Sequence, residues 1–393
     1  MTTDKGGKRP GSSPERTTQT PKPAGLAGQK PGNRRVRVER TRSEYFRYTP
    51  SGVLEARPKA HEEVEQRGRI MAATRRTLFG RPLASAEEIG ERLSKKKALA
   101  IFSSDAISSS AYATEEILRA LMLAGVGLAA LHLALPVAIS IALLLGVVAI
   151  SYRQVVVAYP TGGGSYSVSK ANLGRLASLI AAAALLIDYV LTVAVSISSA
   201  SEQIVAALPV LGPWQVLIAV AVVALITMAN LRGVREAGNI FAIPTYLFVG
   251  TALLMIVLGA WQIIVGGEGA SYPSMEETSM DLASIAILFL AMRAFASGAV
   301  ALTGTEAIAT GVPSFEPPES KNAASTLAIM AVLLGVLFIG ITFLASGFAV
   351  VPSEEATVLS QVAGHVFGLE SVGFYLFLTF AAIILMLAAH TSF

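Results

Sequence analysis

The 393-residue chain contains no cysteine and only four histidines. A disulfide frame, a thiol nucleophile and a cysteine metal site are therefore excluded. His61, His132, His365 and His390 lie too far apart in sequence to suggest a zinc cluster. Charge is scarce as well. Asp, Glu, Lys and Arg supply 15% of the residues against 53% hydrophobic ones, and the mean hydropathy is +0.59. Such a composition excludes a water-facing globule, or a disordered chain, for the bulk of the sequence.

What charge there is lies unevenly. Residues 1–97 carry 23 Lys and Arg against 11 Asp and Glu, a net of +12; residues 98–393 carry 8 against 16, a net of −8. The opening stretch GGKRPGSSPERTTQTPKPAG is rich in Gly, Pro, Ser and Thr. It cannot bury enough apolar area to offset chain entropy, so residues 1–74 are expected to form a disordered, basic, cytoplasmic tail. No apolar run follows the first basic residues, which excludes a signal peptide there. The arginines at 34, 35, 37 and 40 fit a cytoplasmic marker better than a nucleic-acid contact. Residues 75–97 are expected to lie along the inner membrane surface, with a helix over 84–97 that ends at Lys95, Lys96 and Lys97 beside anionic headgroups.

From residue 98 apolar stretches of about 20 residues recur, the length needed to cross a bilayer. They fall near 98–123, 134–158, 176–208, 214–231, 240–265, 282–311, 326–350 and 372–389. Their uniform apolarity excludes barrel strands, which would alternate. The chain is thus expected to be an all-α integral membrane protein with a transmembrane domain over 98–393 and eight spans. Loops on one side hold Arg153, Lys170, Arg175, Arg232, Arg235 and Lys321; loops near 124–133, 209–213, 266–281 and 351–371 hold neither Lys nor Arg. That bias predicts a cytoplasmic N-terminus in the cell membrane. The last span stops at Phe393 without a polar flank, as expected of a fragment truncated after about eight helices.

Three carboxylates interrupt the spans, and an ionisable residue there normally faces a cavity or a partner. Asp105 sits in FSSDAISSSAYATEE, where five serines compete with the helical ladder and Tyr112 follows. Glu306 sits in FASGAVALTGTEAIATG, weakened by Gly298, Gly304 and Gly311, with Thr303 three residues before it. Both read as broken helices able to hold a cation or a substrate. The plain alternatives are a helix entry at the membrane edge for Asp105 and a small-residue packing face around Glu306. Asp188 leads a stripe with Thr192 and Ser196 at four-residue spacing, with Tyr189 beside it. Asp188 could instead pair with Arg119 or Arg293, the basic residues within spans.

The run YPTGGGSYSVSK lacks the Gly-Lys-Ser/Thr ending of a phosphate loop and reads as a tight loop of unusual backbone angles. No Ser-His-Asp set, HExxH or paired catalytic acids appear. The sequence gives no support to an enzyme, and no catalytic residue or cofactor is expected. The two interruptions are five spans apart, an odd number. This is the mark of an inverted repeat with its site between discontinuous helices.

The segments FSSDAISSSAYATEEIL, YPTGGGSY, IDYVLTVAVSIS, NLRGVREAGN and ALTGTEAIATGVPSF together resemble the APC superfamily of amino acid, polyamine and cation transporters. More narrowly, they are similar to its KimA-type potassium importers, from about residue 78 to the end. The resemblance implies an APC-type, LeuT-like inverted-repeat fold, proton coupling and a homodimer. By position it implies cation handling by Asp105, Tyr112, Asp188, Tyr189, Thr192, Ser196, Thr303 and Glu306. A further tyrosine of that pattern belongs to a tenth helix beyond this sequence.

Acids and hydroxyls suit a hard cation, whereas the Asp105 charge would repel a substrate carboxylate. The expected cargo is therefore K⁺ moving with H⁺ by symport, and no metal other than transported K⁺. The alternatives are an amino acid or polyamine permease, and a channel. Glu306 is the expected proton-coupling group, because burial favours a protonated carboxyl and a neighbouring cation favours the ionised one. The lipid bilayer is the expected surrounding, with no nucleic-acid partner.

Overall fold

The computed structural model describes residues 46–48, 54–56, 92–123, 128–231, 237–270, 284–353 and 356–392. The chain divides into two units, Met1–Val64 and Glu65–Phe393. In the first, β1 (Phe46–Tyr48) pairs antiparallel with β2 (Leu54–Ala56), Arg47 opposite Glu55. The intervening Pro50-Ser51-Gly52 has turn composition. This hairpin lies within the stretch expected to be a disordered tail; the other residues of 1–74 lie outside the described set.

Among the described residues of the second unit, six helices are long and apolar enough to cross a membrane. They are α4 (Ala134–Ala158), α6 (Arg175–Ala207), α7 (Gln215–Leu231), α8 (Ala237–Ile264), α11 (Glu319–Gly347) and α13 (Val372–Thr391). The two other expected spans are broken. Residues 95–122 form α1 (Lys95–Phe102), α2 (Ser104–Ser109) and α3 (Ala113–Met122). Residues 284–310 form α9 (Ser284–Gly298), a 3₁₀ turn (Ala299–Leu302) and α10 (Ala307–Thr310).

The serines explain the first break. Ser104 donates to the Ile101 carbonyl at 2.8 Å, Ser108 to Asp105 at 2.8 Å and Ser110 to Ile107 at 2.7 Å. Each hydroxyl competes for a carbonyl that a continuous helix would use. In the second break Gly304 adopts φ +75°, which a residue with a Cβ avoids.

Two short helices occupy what the sequence suggests are loops, α5 (Gly164–Asn172) and α12 (Val358–Phe367). Gly162, Gly163 and Gly164 take φ of +77°, +87° and +45°, the unusual angles expected of that loop. Gly163 N–H donates to the Thr310 carbonyl at 3.2 Å, so the loop cradles the end of α10.

The helix expected over 84–97 is partly outside the described residues. Residues 92–94 are extended, and Lys95 to Lys97 open α1 instead of closing an earlier helix. Leu93 makes a bridge with Phe315, its N–H donating to the Ser314 carbonyl at 2.8 Å. Arg92 pairs with Glu319 beside it. This fastening defines the near end of the bundle, where α1 begins. The core packs α11 on α4 and α13 on α6, with α13 also against α2 and α1 against α8. Its centre includes Ile117, Leu118, Ile141, Phe248, Leu337 and Phe377.

Candidate functional site

The two breaks face each other. Gly304 backs directly on α2: a methyl group there would lie 2.7 Å from Asp105 Oδ2 and 2.7 Å from the Ala106 nitrogen. Ser109 joins the breaks with its hydroxyl, 2.9 Å from Thr303 Oγ1 and 3.1 Å from the Tyr112 hydroxyl. Thr303 and Glu306 were expected to share a helix face. Instead they belong to the non-helical turn itself, with Thr303 extended at ψ 152° and Glu306 just before α10.

Asp188 enters from the middle of α6. Its carboxyl is near enough to that of Glu306 for the two to interact, and both act electrostatically on Asp105. Two acids on helices and one in the turn before α10 thus converge on one region. Pairing of Asp188 with Arg119 does not occur: Arg119 Nη2 bonds Glu115 Oε1 at 2.5 Å, and Arg293 is exposed. Asp105 and Glu306 are buried, at 4% and 7% exposure. Among the described residues, Asp105 Oδ1, Glu306 Oε1 and the Ser103 and Ser196 hydroxyls are buried without a hydrogen-bond partner. Buried oxygens in that state are costly unless something else pairs with them.

Thr192 and Ser196 follow Asp188 on the same buried stripe of α6. Tyr189, on the neighbouring face, lies near Thr310 at the end of α10 and in electrostatic reach of all three acids. Sequence reasoning missed Ser103, Ser109 and Tyr152. The Tyr152 hydroxyl lies 3.2 Å from Ser165 Oγ and within electrostatic reach of Glu306 and Asp188. The signal for Ser103 and Ser109 was present in the serine run; Tyr152 had none, being one aromatic among apolar neighbours. The serine hydroxyls were expected to face a cargo, but those of Ser104, Ser108 and Ser110 are taken by backbone carbonyls.

A groove of about 730 Å³ between α4 and α11 is lined by apolar side chains such as Ile139, Leu143, Val332 and Phe343. It carries no group that could hold a cation and is separate from the acids.

The family model for amino acid permeases matches residues 93–393, the whole stretch that carries both breaks. The chain belongs to the amino acid permease family. The chain is also 45% identical, over 321 residues, to the potassium transporter KimA of Bacillus subtilis, a match covering 81% of this chain and 52% of that protein. It is 24% identical over 267 residues to the low-affinity putrescine importer PlaP of Escherichia coli, covering 62% of this chain and 54% of the importer. The chain therefore spans about half the length of the curated relatives it matches. Its six apolar helices and this family make it a multi-pass membrane protein of the APC type.

Proposed function

We propose that the chain acts in secondary transport, moving K⁺ inward with protons through a site between its two broken helices. The observation that carries this reading is the meeting of Asp105, Asp188 and Glu306, with carboxylate and serine oxygens left unpaired beside them. Hard oxygen donors of this kind suit an alkali cation, and the similarity to a potassium transporter supports the same cargo. Asp105, Tyr112, Thr192, Ser196 and Thr303 bind the cation with Asp188 and Tyr189. Glu306, against a second carboxyl, exchanges the proton.

The near end faces the cytoplasm of the cell, because Lys95 to Lys97, Arg153, Lys170, Arg175 and Lys321 all lie at that end of their helices. Transport proceeds by rocking of α1–α3, α4, α9, α10 and α11 against α6, α7 and α13. The close packing of α11 on α4 and of α13 on α6 supports this grouping, with α13 against α2 as the contact that would shift. The protein works in the bilayer as a homodimer.

A second reading is favoured by one observation: a cluster of acids also suits an organic polycation, and a putrescine importer is among the relatives. The test is uptake by proteoliposomes holding the full-length protein. Rb⁺ uptake with internal acidification supports the first reading; putrescine or amino acid uptake without Rb⁺ flux replaces it with the second. Non-saturating flux without proton movement would make the protein a channel.

A further inference from the structure

Glu115 is a buried carboxylate that the cation site does not use, 4% exposed on α3 at the end opposite Leu93. One oxygen takes Arg119 from its own helix at 2.5 Å. The other, Oε2, accepts from the backbone N–H of Val358 at 3.1 Å. Val358 is the first residue of α12, so this N–H is among those a helix leaves unsatisfied at its start, where a negative charge is favoured. The α12 N-cap, Thr357, accepts from Ser360 N–H at 3.1 Å and donates to Gln203 Oε1 at 3.3 Å. Gln203 is buried in the last turn of α6. The start of α12 is therefore pinned from two sides, by a residue of the first broken helix and by one of the helix against which that broken helix would rock.

What α12 covers is shown by α6. Thr192, Ser196, Ser199 and Gln203 continue the stripe from Asp188, and all four are buried. At 1.5 Å per residue the stripe runs about 22 Å from Asp188 to Gln203, a polar line through an apolar bundle that ends under α12. Beyond the pin lies a cavity of about 220 Å³ lined by Arg119, Glu202, Gln215, Ser353 and Thr357. Glu115 and Glu202 both act electrostatically on Arg119 at this mouth.

We infer that Glu115 is the latch of the outer entrance: its carboxylate holds α12 across the polar stripe, and a cation reaches the acids only when Val358 N–H leaves it. The inference rests on the transport reading for its purpose, but the latch itself is physical and is read separately. Arg119 keeps the carboxylate compensated while the latch is open, and Thr357 with Gln203 guides α12 back.

These 393 residues contain no cysteine, and any cysteine elsewhere in the full-length protein is first replaced so that the introduced thiol is the one labelled. Ser199→Cys is placed in the full-length protein in intact cells and titrated with a membrane-impermeant thiol reagent from outside. Adding Glu115→Ala is expected to raise the labelling rate of the cysteine at least tenfold. Glu115→Gln, which keeps an acceptor for Val358 N–H, should raise it less. An unchanged rate with Glu115→Ala overturns the latch. A second variant, Gln203→Cys with Thr357→Cys, is oxidised to fasten α12. Rb⁺ uptake should stop and return on reduction; uptake at the unmodified rate after complete oxidation also overturns it. If the unmodified protein takes up no Rb⁺ at all, the transport reading fails instead, and the labelling ratio still decides the latch.

Discussion

Gly304 leaves just enough room for Asp105. An added methyl group at 304 would lie 2.7 Å from the Asp105 carboxylate and would sit at φ +75°. The two breaks, about 200 residues apart in sequence, thus share one contact surface whose width is set by a missing side chain. Gly304→Ala should therefore impair transport by pushing Asp105 aside and straining the turn, at a cost of about 1–3 kcal/mol. Rb⁺ uptake against thermal stability measures it. Full uptake at unchanged melting temperature would show that the contact is dispensable.

Asp105→Asn and Glu306→Gln should differ in kind. Asp105→Asn keeps the shape and removes a charge from the proposed cation site. A loss of about 1.4 kcal/mol is tenfold in affinity, and at least that is expected in the half-saturating Rb⁺ concentration. Glu306→Gln fixes the proton-bearing form and should flatten the pH dependence of uptake. A normal pH profile in Glu306→Gln would pass the coupling role to its neighbour Asp188.

Ser109→Ala removes the hydroxyl that stands between Tyr112 and Thr303. Leaving buried partners unsatisfied costs about 1–3 kcal/mol. Apparent affinity for Rb⁺ should fall several-fold while Ser110→Ala, whose hydroxyl bonds only the Ile107 carbonyl, should change it little. Equal effects of the two substitutions would count against a bridging role for Ser109.

Gly162→Ala tests the loop that cradles α10. Its Cβ would meet the Thr310 carbonyl oxygen and lie 2.9 Å from Pro313 Cδ, at φ +77°. A fall in melting temperature of several degrees is expected, whereas Gly146→Ala, with nothing within 4 Å of the added atom, should leave it unchanged.

The spans were legible because apolar length is written locally, and both interruptions because Ser, Gly and Thr weaken a helix wherever they stand. The convergence of Asp188 with Glu306 was not legible, since it depends on how helices far apart in sequence meet. Nor was α12, although Thr357 followed by VLSQVAGHVF and Gly368 has a cap, an apolar face and a stop; its shortness made it read as loop. The role of Glu115 was not legible either: it stands four residues before Arg119, but its other partner, the Val358 amide, lies 243 residues away.

The Leu93–Phe315 bridge bears on how the protein is made. The N–H of Leu93 awaits the carbonyl of Ser314, and its own carbonyl awaits the N–H of Glu316. Ribosomal synthesis releases residues from the N-terminus onward at about 5–20 per second. The first helix to enter the bilayer therefore cannot reach its final seat until more than two hundred further residues have emerged. Until then Asp105 has neither Gly304 against it nor its acidic neighbours, and the insertion machinery must hold a carboxyl-bearing helix provisionally. The order of birth and the order of locking are opposite in this chain.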